Sequence, residues 1–267
     1  MKLGLENKVA LVLASSKGLG FACAKGLYEE GANVVICSRS EENLKLAKQR
    51  IENFNSISEN NRVLAVVADL LYADQIKNLV EKTMDEFGRI DILVHNAGGP
   101  PSAPISKITQ EEWSDSIELN LRSFLRISEL IVTIMQKQKY GKIIAITSVS
   151  VKQPLDNLVL SNTTRLGVVG YAKTLANEYA KDNILVNVVC PGPNLTDRMK
   201  EIIKKMSQDT GKAEEEIEKI WTGQIPLGRM GKPEELANLV VFLTSERANY
   251  ITGTVIQVDG GFVKGPF

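Results

Sequence analysis

The unbroken run Val9-Ala10-Leu11-Val12-Leu13, followed by small residues and then by Gly18 and Gly20, constrains this chain more than any other stretch. A run with no polar face reads as a strand covered on both sides, as in a parallel sheet. Gly18 and Gly20 let the backbone turn tightly into a helix whose inner face carries Leu19, Ala22, Cys23, Gly26 and Leu27, and Gly31 stops it. A strand feeding a glycine turn and a helix start makes an anion site, because free backbone N–H groups and the helix dipole point at one spot. Such a turn serves simple packing equally well, so the remaining elements have to decide.

Those elements alternate. Further strands are predicted over residues 33–38, 62–68, 90–95, 141–147, 184–190 and 254–258, with helices between them. Ser40 caps a helix bearing Leu44, Ala47, Ile51 and Phe54; the next carries Ile76, Leu79, Val80, Thr83, Met84 and Phe87 and stops at Gly88. Thr109 and Glu112 form a capping box that opens a long helix over 111–138, with Trp113, Ile117, Asn120, Phe124, Ser128 and Ile131 as its buried stripe. A further helix runs from about 155 to 181, and Pro233 starts another at its first position.

Residues 194–226 differ in character. Met199, Ile202, Ile203 and Met206, then Ala213, Ile217, Ile220 and Trp221, mark two short amphipathic helices with no strand between them. They read as a lid over the C-terminal ends of the strands, where open α/β sheets bind ligands, or as packing against the domain's own surface. The alternation implies one α/β domain over 1–267: a Rossmann-type, doubly wound, parallel seven-stranded sheet with helices on both faces.

Composition narrows the function. Lys+Arg and Asp+Glu both number 32, so no global field favours nucleic acid or an anionic membrane surface. No apolar run reaches the ~20 residues of a membrane span, and the N-terminal stretch lacks a signal-peptide core. Cys23, Cys37 and Cys190 are odd in number and far apart, which suits buried thiols in a reducing cytoplasm. His95 is the only histidine, which argues against a histidine-built metal site and a Ser-His-Asp hydrolase; no metal is expected. A packed strand residue is its simplest reading.

In a dinucleotide-binding sheet the tip of the second strand faces the adenosine ribose. An acidic residue there accepts the 2′-hydroxyl, whereas an arginine suits a 2′-phosphate. Here Ser38 is followed by Arg39, and Lys17 sits in the phosphate turn beside Ser16, which favours NADP(H) over NAD(H) unless both cations are ordinary surface charges. Asp69 and Leu70 end the third strand; Asp69 either receives an adenine amino group or is a solvated turn residue. Asn96-Ala97-Gly98-Gly99 lets backbone approach a flat ring closely. Asn120, an amide on a largely apolar stripe, calls for a backbone or water partner, in a catalytic or a purely structural network.

With these residues in view, the chain from Lys8 to Gly261 resembles a short-chain dehydrogenase/reductase, and most of all the 3-oxoacyl-[acyl-carrier-protein] reductases of that family. The family's Thr-Gly-x-x-x-Gly-x-Gly turn maps onto Leu13, Ala14, Gly18 and Gly20, its Asn-Ala-Gly onto Asn96, Ala97 and Gly98, and its helix asparagine onto Asn120. Its Pro-Gly with a threonine four positions on is Pro191, Gly192 and Thr196; the closing segments fall at 228–235 and 252–261. The resemblance implies a carbonyl reductase acting on a small-molecule substrate, and a homotetramer built on helices 111–138 and 156–181 and the last strand.

The resemblance breaks at the chemistry. The family's serine is Ser148, but its tyrosine position holds Ser161 and its lysine position holds Arg165, with the spacing of four kept. A phenol starts near pKa ~10 and is tuned downward by a neighbouring cation; an aliphatic hydroxyl is far less acidic and a whole ring shorter. Arg165 keeps the charge and can hold ribose hydroxyls, but does not donate a proton at neutral pH. Lys152, Asp156 and Asn157 are candidates for a displaced proton relay, and Tyr171 should face elsewhere. Ala14 is strained by ~1–2 kcal/mol if its backbone is left-handed. Three functions follow: an NADP-dependent reductase with altered acid chemistry on Ser148, Asn120, Ser161 and Arg165, a weak or inactive nucleotide-binding protein serving as sensor or oligomer partner, or a different reaction using the same pocket.

Overall fold

Seven strands, all parallel, line up in the order β3-β2-β1-β4-β5-β6-β7 in the computed structural model, which describes residues 2–265. In chain order they alternate with helices: β1 (Val9–Val12), α1 (Gly18–Glu29), β2 (Asn33–Ser38), α2 (Glu41–Glu52), β3 (Val63–Val67), α3 (Ala73–Phe87) and β4 (Ile92–His95). The second half continues with α4 (Gln110–Ser116), α5 (Ser123–Gln138), β5 (Gly141–Ile146), α6 (Val159–Tyr179) and β6 (Ile184–Pro191). Then come α7 (Asp197–Thr210), α8 (Glu214–Thr222), α9 (Pro233–Thr244) and β7 (Val255–Val258). The strand order reverses direction between β1 and β4, and there a crevice opens at the strands' C-terminal ends.

Alternation along each strand divides the core in two. Leu11, Val35, Leu93, Ile143 and Val186 face α3, α5 and α6; Ala10, Val12, Val34, Ile36, Val94 and Ile144 face α1, α2 and α9. Register follows, with Leu11 opposite Val35 on one side and Leu93 on the other. A slip of one residue would exchange the two faces along the whole strand. Asp91, fully buried, fastens the entry of the sheet: its carboxylate accepts from the Val9 N–H at 2.9 Å and from both ends of the Arg89 guanidinium fork.

Local signals behave as their chemistry requires. Ser40 accepts from the Asn43 N–H at the start of α2, Thr109 and Glu112 form the reciprocal capping box of α4, and Pro233 occupies the first turn of α9. Gly88 ends α3 with φ +69°, and Gly31 follows α1 with φ +81°.

Three expectations need correction. The helix expected over 111–138 is interrupted by a π turn at Ile117–Arg122. Its wider turn rotates the stripe, so Ser116 is buried where Ile117 was expected, and Ile117 is 36% exposed. The helix expected from about 155 begins at Val159, because Leu155 is held in the preceding loop by the Asn162 amide, whose Nδ2 donates to its carbonyl. In the 194–226 segment Met199, Ile203 and Ile217 are buried, but Ala213 lies ahead of α8 and Ile220 faces outward.

Candidate active site

A cavity of about 440 Å³ lies over the C-terminal ends of β1, β2, β4, β5 and β6, and residues of α7 and α8 form part of its wall. Its first end is the β1–α1 corner. Ala14 there has φ +46° and Gly18 φ +61°, both left-handed, while Lys17 is extended and stands at the N-terminus of α1. The Ala14 carbonyl accepts from Asn96 Nδ2 at 3.2 Å, which joins the corner to the turn after β4. Ser15 Oγ donates to the Val12 carbonyl and accepts from the Cys37 N–H, stitching β1 to β2. Ser16 Oγ bonds Ser38 Oγ at 3.0 Å, which brings Arg39 to the same rim.

Asp69 follows β3; its Oδ1 accepts from the Leu71 N–H, and Leu70 packs inward beside it. At the opposite end stand Thr147, Ser148, Ser161 and Arg165. Ser148 Oγ accepts from the Ser150 N–H at 3.1 Å, and the Ser150 and Ser161 hydroxyls lie 3.4 Å apart. Ser161 and Arg165, one turn apart on α6, share the face turned to the cavity. The Arg165 guanidinium donates to the carbonyl of Ile146 at 3.2 Å and of Ala97 at 3.5 Å, so it spans the ends of β4 and β5. It is 8% exposed, and burial draws its pKa down to about 10.

His95 lies below this floor. Its Nε2 pairs with Ser123 Oγ at 2.9 Å, and burial together with the Arg165 charge holds the ring's pKa down at about 3, so the imidazole is neutral. It is a packed strand residue. Asn120 Nδ2 donates to the Ser116 carbonyl, while Asn120 Oδ1 and His95 Nδ1 are buried without a protein partner. A buried amide oxygen of this kind calls for an ordered water.

The cavity wall therefore collects Ala14, Ser16, Lys17, Gly18, Leu19, Ser38, Arg39, Asp69, Leu70, Asn96, Ala97, Gly98, Ser148, Ser161, Arg165, Pro191, Gly192 and Thr196, as the sequence suggests. Two expected site residues do not line it. Gly20 lies behind the corner, where it makes room for the Ala14 carbonyl, and Asn120 is buried in the π turn. None of Lys152, Asp156 and Asn157 lines it either: Asp156 and Asn157 are exposed, and the Asn157 carbonyl accepts from the Ala103 N–H. Tyr171 meets Phe124 edge-on, away from the cavity.

Sequence reasoning missed Arg198, whose Nη2 donates to the Pro100 carbonyl at 2.9 Å and ties α7 to the loop after β4. It also missed Asn194, buried with its Nδ2 on the Gly192 carbonyl. The Thr196 cap, whose Oγ1 accepts from the Met199 N–H, was the available signal: it fixes where α7 starts, and Arg198 stands in the first turn beyond it.

Comparison with known proteins bears on this geometry. Residues 13–263 match the family model adh_short_C2, described as Enoyl-(Acyl carrier protein) reductase. The chain belongs to the short-chain dehydrogenase/reductase family. This short-chain dehydrogenase/reductase is 35% identical to the 3-oxoacyl-[acyl-carrier-protein] reductase FabG of Thermotoga maritima, over 97% of its own length and 99% of that protein's. It is 34% identical to the dehydrogenase/reductase SDR family member 4 of Oryctolagus cuniculus, over 96% of its length and 94% of the relative's. Among solved structures, L-sorbose reductase from Gluconobacter frateurii, complexed with NADPH and L-sorbose, superposes with TM-score 0.92 at 35% identity, covering 99% of this chain and all of that one. As a short-chain dehydrogenase/reductase the chain is thus akin to enzymes that reduce carbonyl groups. Among the described residues no helix is long and apolar enough to cross a membrane, and no group of three His, Cys, Asp or Glu is gathered to hold a metal. Cys23, Cys37 and Cys190 are buried and unpaired.

Proposed function

We propose that the protein is an NADP(H)-dependent reductase that transfers hydride to the carbonyl of a small molecule, a 3-oxoacyl thioester or a compound like it. The observation that carries this reading is the rim at Ser38: Arg39 follows it directly and the tip of β2 offers no carboxylate, while Lys17 stands at the start of α1, 3.9 Å from Asp197. A 2′-phosphate fits such a rim, while a bare ribose diol finds no carboxylate at the tip of β2. The residues present suit the nucleotide elsewhere too. The left-handed corner at Ala14 and Gly18 turns backbone N–H groups and the start of α1 toward a diphosphate, and the spare donors of Arg165 suit ribose hydroxyls. Bound there, the nicotinamide supplies the hydride.

The chain's own part is to orient the carbonyl with Ser148, to exclude water with α7 and α8 acting as a lid, and to place a cation below the reacting atoms with Arg165. Leu119, Leu155, Leu158, Met199, Ile202 and Trp221 make the substrate side of the wall apolar. With Ser161 where the family carries its tyrosine, no phenol stands over that space, and water takes its place as acid. Self-association as a homotetramer through α5, α6 and β7 completes the reading; β7 ends the sheet with four half-exposed residues.

Fluorescence titration tests it: NADPH binds at least about tenfold tighter than NADH, and uptake of neither removes the proposal. A second reading, a nucleotide-binding protein with little or no catalysis, is favoured by the Ser161 hydroxyl lying against Ser150. Single-turnover oxidation of bound NADPH by ketones, aldehydes and 3-oxoacyl thioesters separates the two, and light scattering reads the assembly.

A further inference from the structure

Arg165 is a buried cation without a carboxylate. Both of its hydrogen bonds go to neutral backbone carbonyls, those of Ile146 and Ala97, and it enters no ion pair among the described residues. The side chains nearest it are uncharged, namely Ser148, Ser161, the Cys190 thiol and the neutral His95 ring. Lys152, which also acts on Cys190 from outside the cavity lining, adds a further positive charge and no compensation. The carboxylates that line the same cavity, Asp69 and Asp197, stand at its other end, and Asp197 lies 3.9 Å from Lys17. An uncompensated charge held in place in a poorly solvated floor acts on whatever lies above it, and salt screens it weakly.

The rim at Arg39 fixes which end of a dinucleotide goes where. With the 2′-phosphate at Arg39 and the diphosphate at the β1–α1 corner, the nicotinamide half falls between Thr147, Pro191 and Arg165. The oxidised nicotinamide ring carries a positive charge and the reduced ring carries none; the phosphates are the same in both. We propose that Arg165 makes this site selective for the oxidation state of its nucleotide, so that NADPH is held and NADP⁺ is expelled. The inference rests on the reading of the cleft as an NADP(H) site and adds the direction in which that site works, reduction with ready release of the spent nucleotide. Repulsion between the fixed guanidinium and the oxidised ring opposes only NADP⁺, and the alkoxide oxygen that reduction creates gains from the same charge.

The measurement is equilibrium binding of each nucleotide to the full chain without a carbonyl substrate, by calorimetry for NADP⁺ and by calorimetry and fluorescence for NADPH. The wild-type chain binds NADPH about tenfold or more tightly than NADP⁺. Arg165→Met brings the two affinities to within about threefold; the ribose contacts it loses are common to both nucleotides, so the ratio is the readout. Arg165→Lys, which keeps the charge, keeps the preference. Equal wild-type affinities, or an undiminished ratio in Arg165→Met, overturns the inference while leaving the nucleotide site standing. Binding of neither nucleotide removes the site itself. Thermal melts confirm that each variant is folded; should Arg165→Met fail to fold, the wild-type ratio decides alone.

Discussion

A methyl group placed on Gly20 would stand 2.5 Å from the carbonyl oxygen of Ala14 and 2.8 Å from Asn96 Nδ2. Neither the backbone of the corner nor the amide that bonds it has room to give. Gly20→Ala therefore pushes α1 off the corner. We expect a loss of about 1–3 kcal/mol in stability, as for other overpacked sites, and nucleotide affinity weakened at least tenfold. Chemical denaturation and NADPH titration check both; an unchanged affinity would mean that the corner does not hold the nucleotide.

Ala14 is the converse case. Its φ of +46° lies where an L side chain is strained by ~1–2 kcal/mol and glycine is not. Ala14→Gly relieves that strain and gives back part of it as backbone entropy. The melting temperature should rise by about 2 °C for a chain of this size. A fall would contradict the left-handed corner.

Ser161→Tyr combined with Arg165→Lys puts an ionisable phenol and a tuning cation on the cavity face of α6. Turnover with an aldehyde or ketone should rise by roughly 10²–10⁴, the usual contribution of a positioned acid. No gain would show that the site differs from an active reductase by more than these two residues.

The wild-type pH profile follows from the groups that face the cavity floor. Arg165, drawn down by burial to about 10, stays charged below that value, and His95, drawn down by burial and Arg165 to about 3, stays neutral above it. Neither changes charge between about pH 5 and 8.5, and Cys190, raised by burial, stays a thiol. Single-turnover rates on a non-ionising ketone should be flat over that window. An inflection inside it would reveal an acid that the floor does not contain.

At the other end of the sheet Lys142 is buried with its Nζ on Asn249 Oδ1 at 2.7 Å, and burial pulls its pKa from 10.5 to about 8. The folded chain then binds fewer protons than the unfolded chain between those values, so stability rises as pH rises from about 8 to 10.5. Below pH 8 the cost of the buried charge is present in full. Lys142→Met should flatten this rise in denaturation curves taken across the alkaline range; an unaltered slope would place its origin elsewhere.

What was legible in the sequence follows from what its local signals encode. β1, its glycine corner and α1 could be read because an unbroken apolar run, a glycine free to turn left-handed at Gly18 and a helix stop at Gly31 are each signals carried by adjacent residues. Arg39 and Ser38 could be placed because a strand tip fixes its next residue. The π turn at Ile117–Arg122 was invisible: a period of 3.6 fits either side of it, and the added residue shows only in the exchange of Ser116 for Ile117. Arg198 was missed because its role depends on Pro100, far away in sequence, whose carbonyl receives its guanidinium. Lys152, Asp156 and Asn157 drew attention by sequence nearness to Ser148, but the Asn157 backbone, with φ +59°, turns that loop toward Ala103.

Trp221 at the end of α8 stacks on Phe262, with ring centroids 6.3 Å apart, and Asp259 clamps that tail by accepting from the N–H groups of Gly261 and Val263. Because Trp221 also walls the cavity, the cleft and the tail share one hinge pin. A displacement of Phe262 therefore bears directly on a ring of the cavity wall, at a point far in sequence from Ser148 and Arg165.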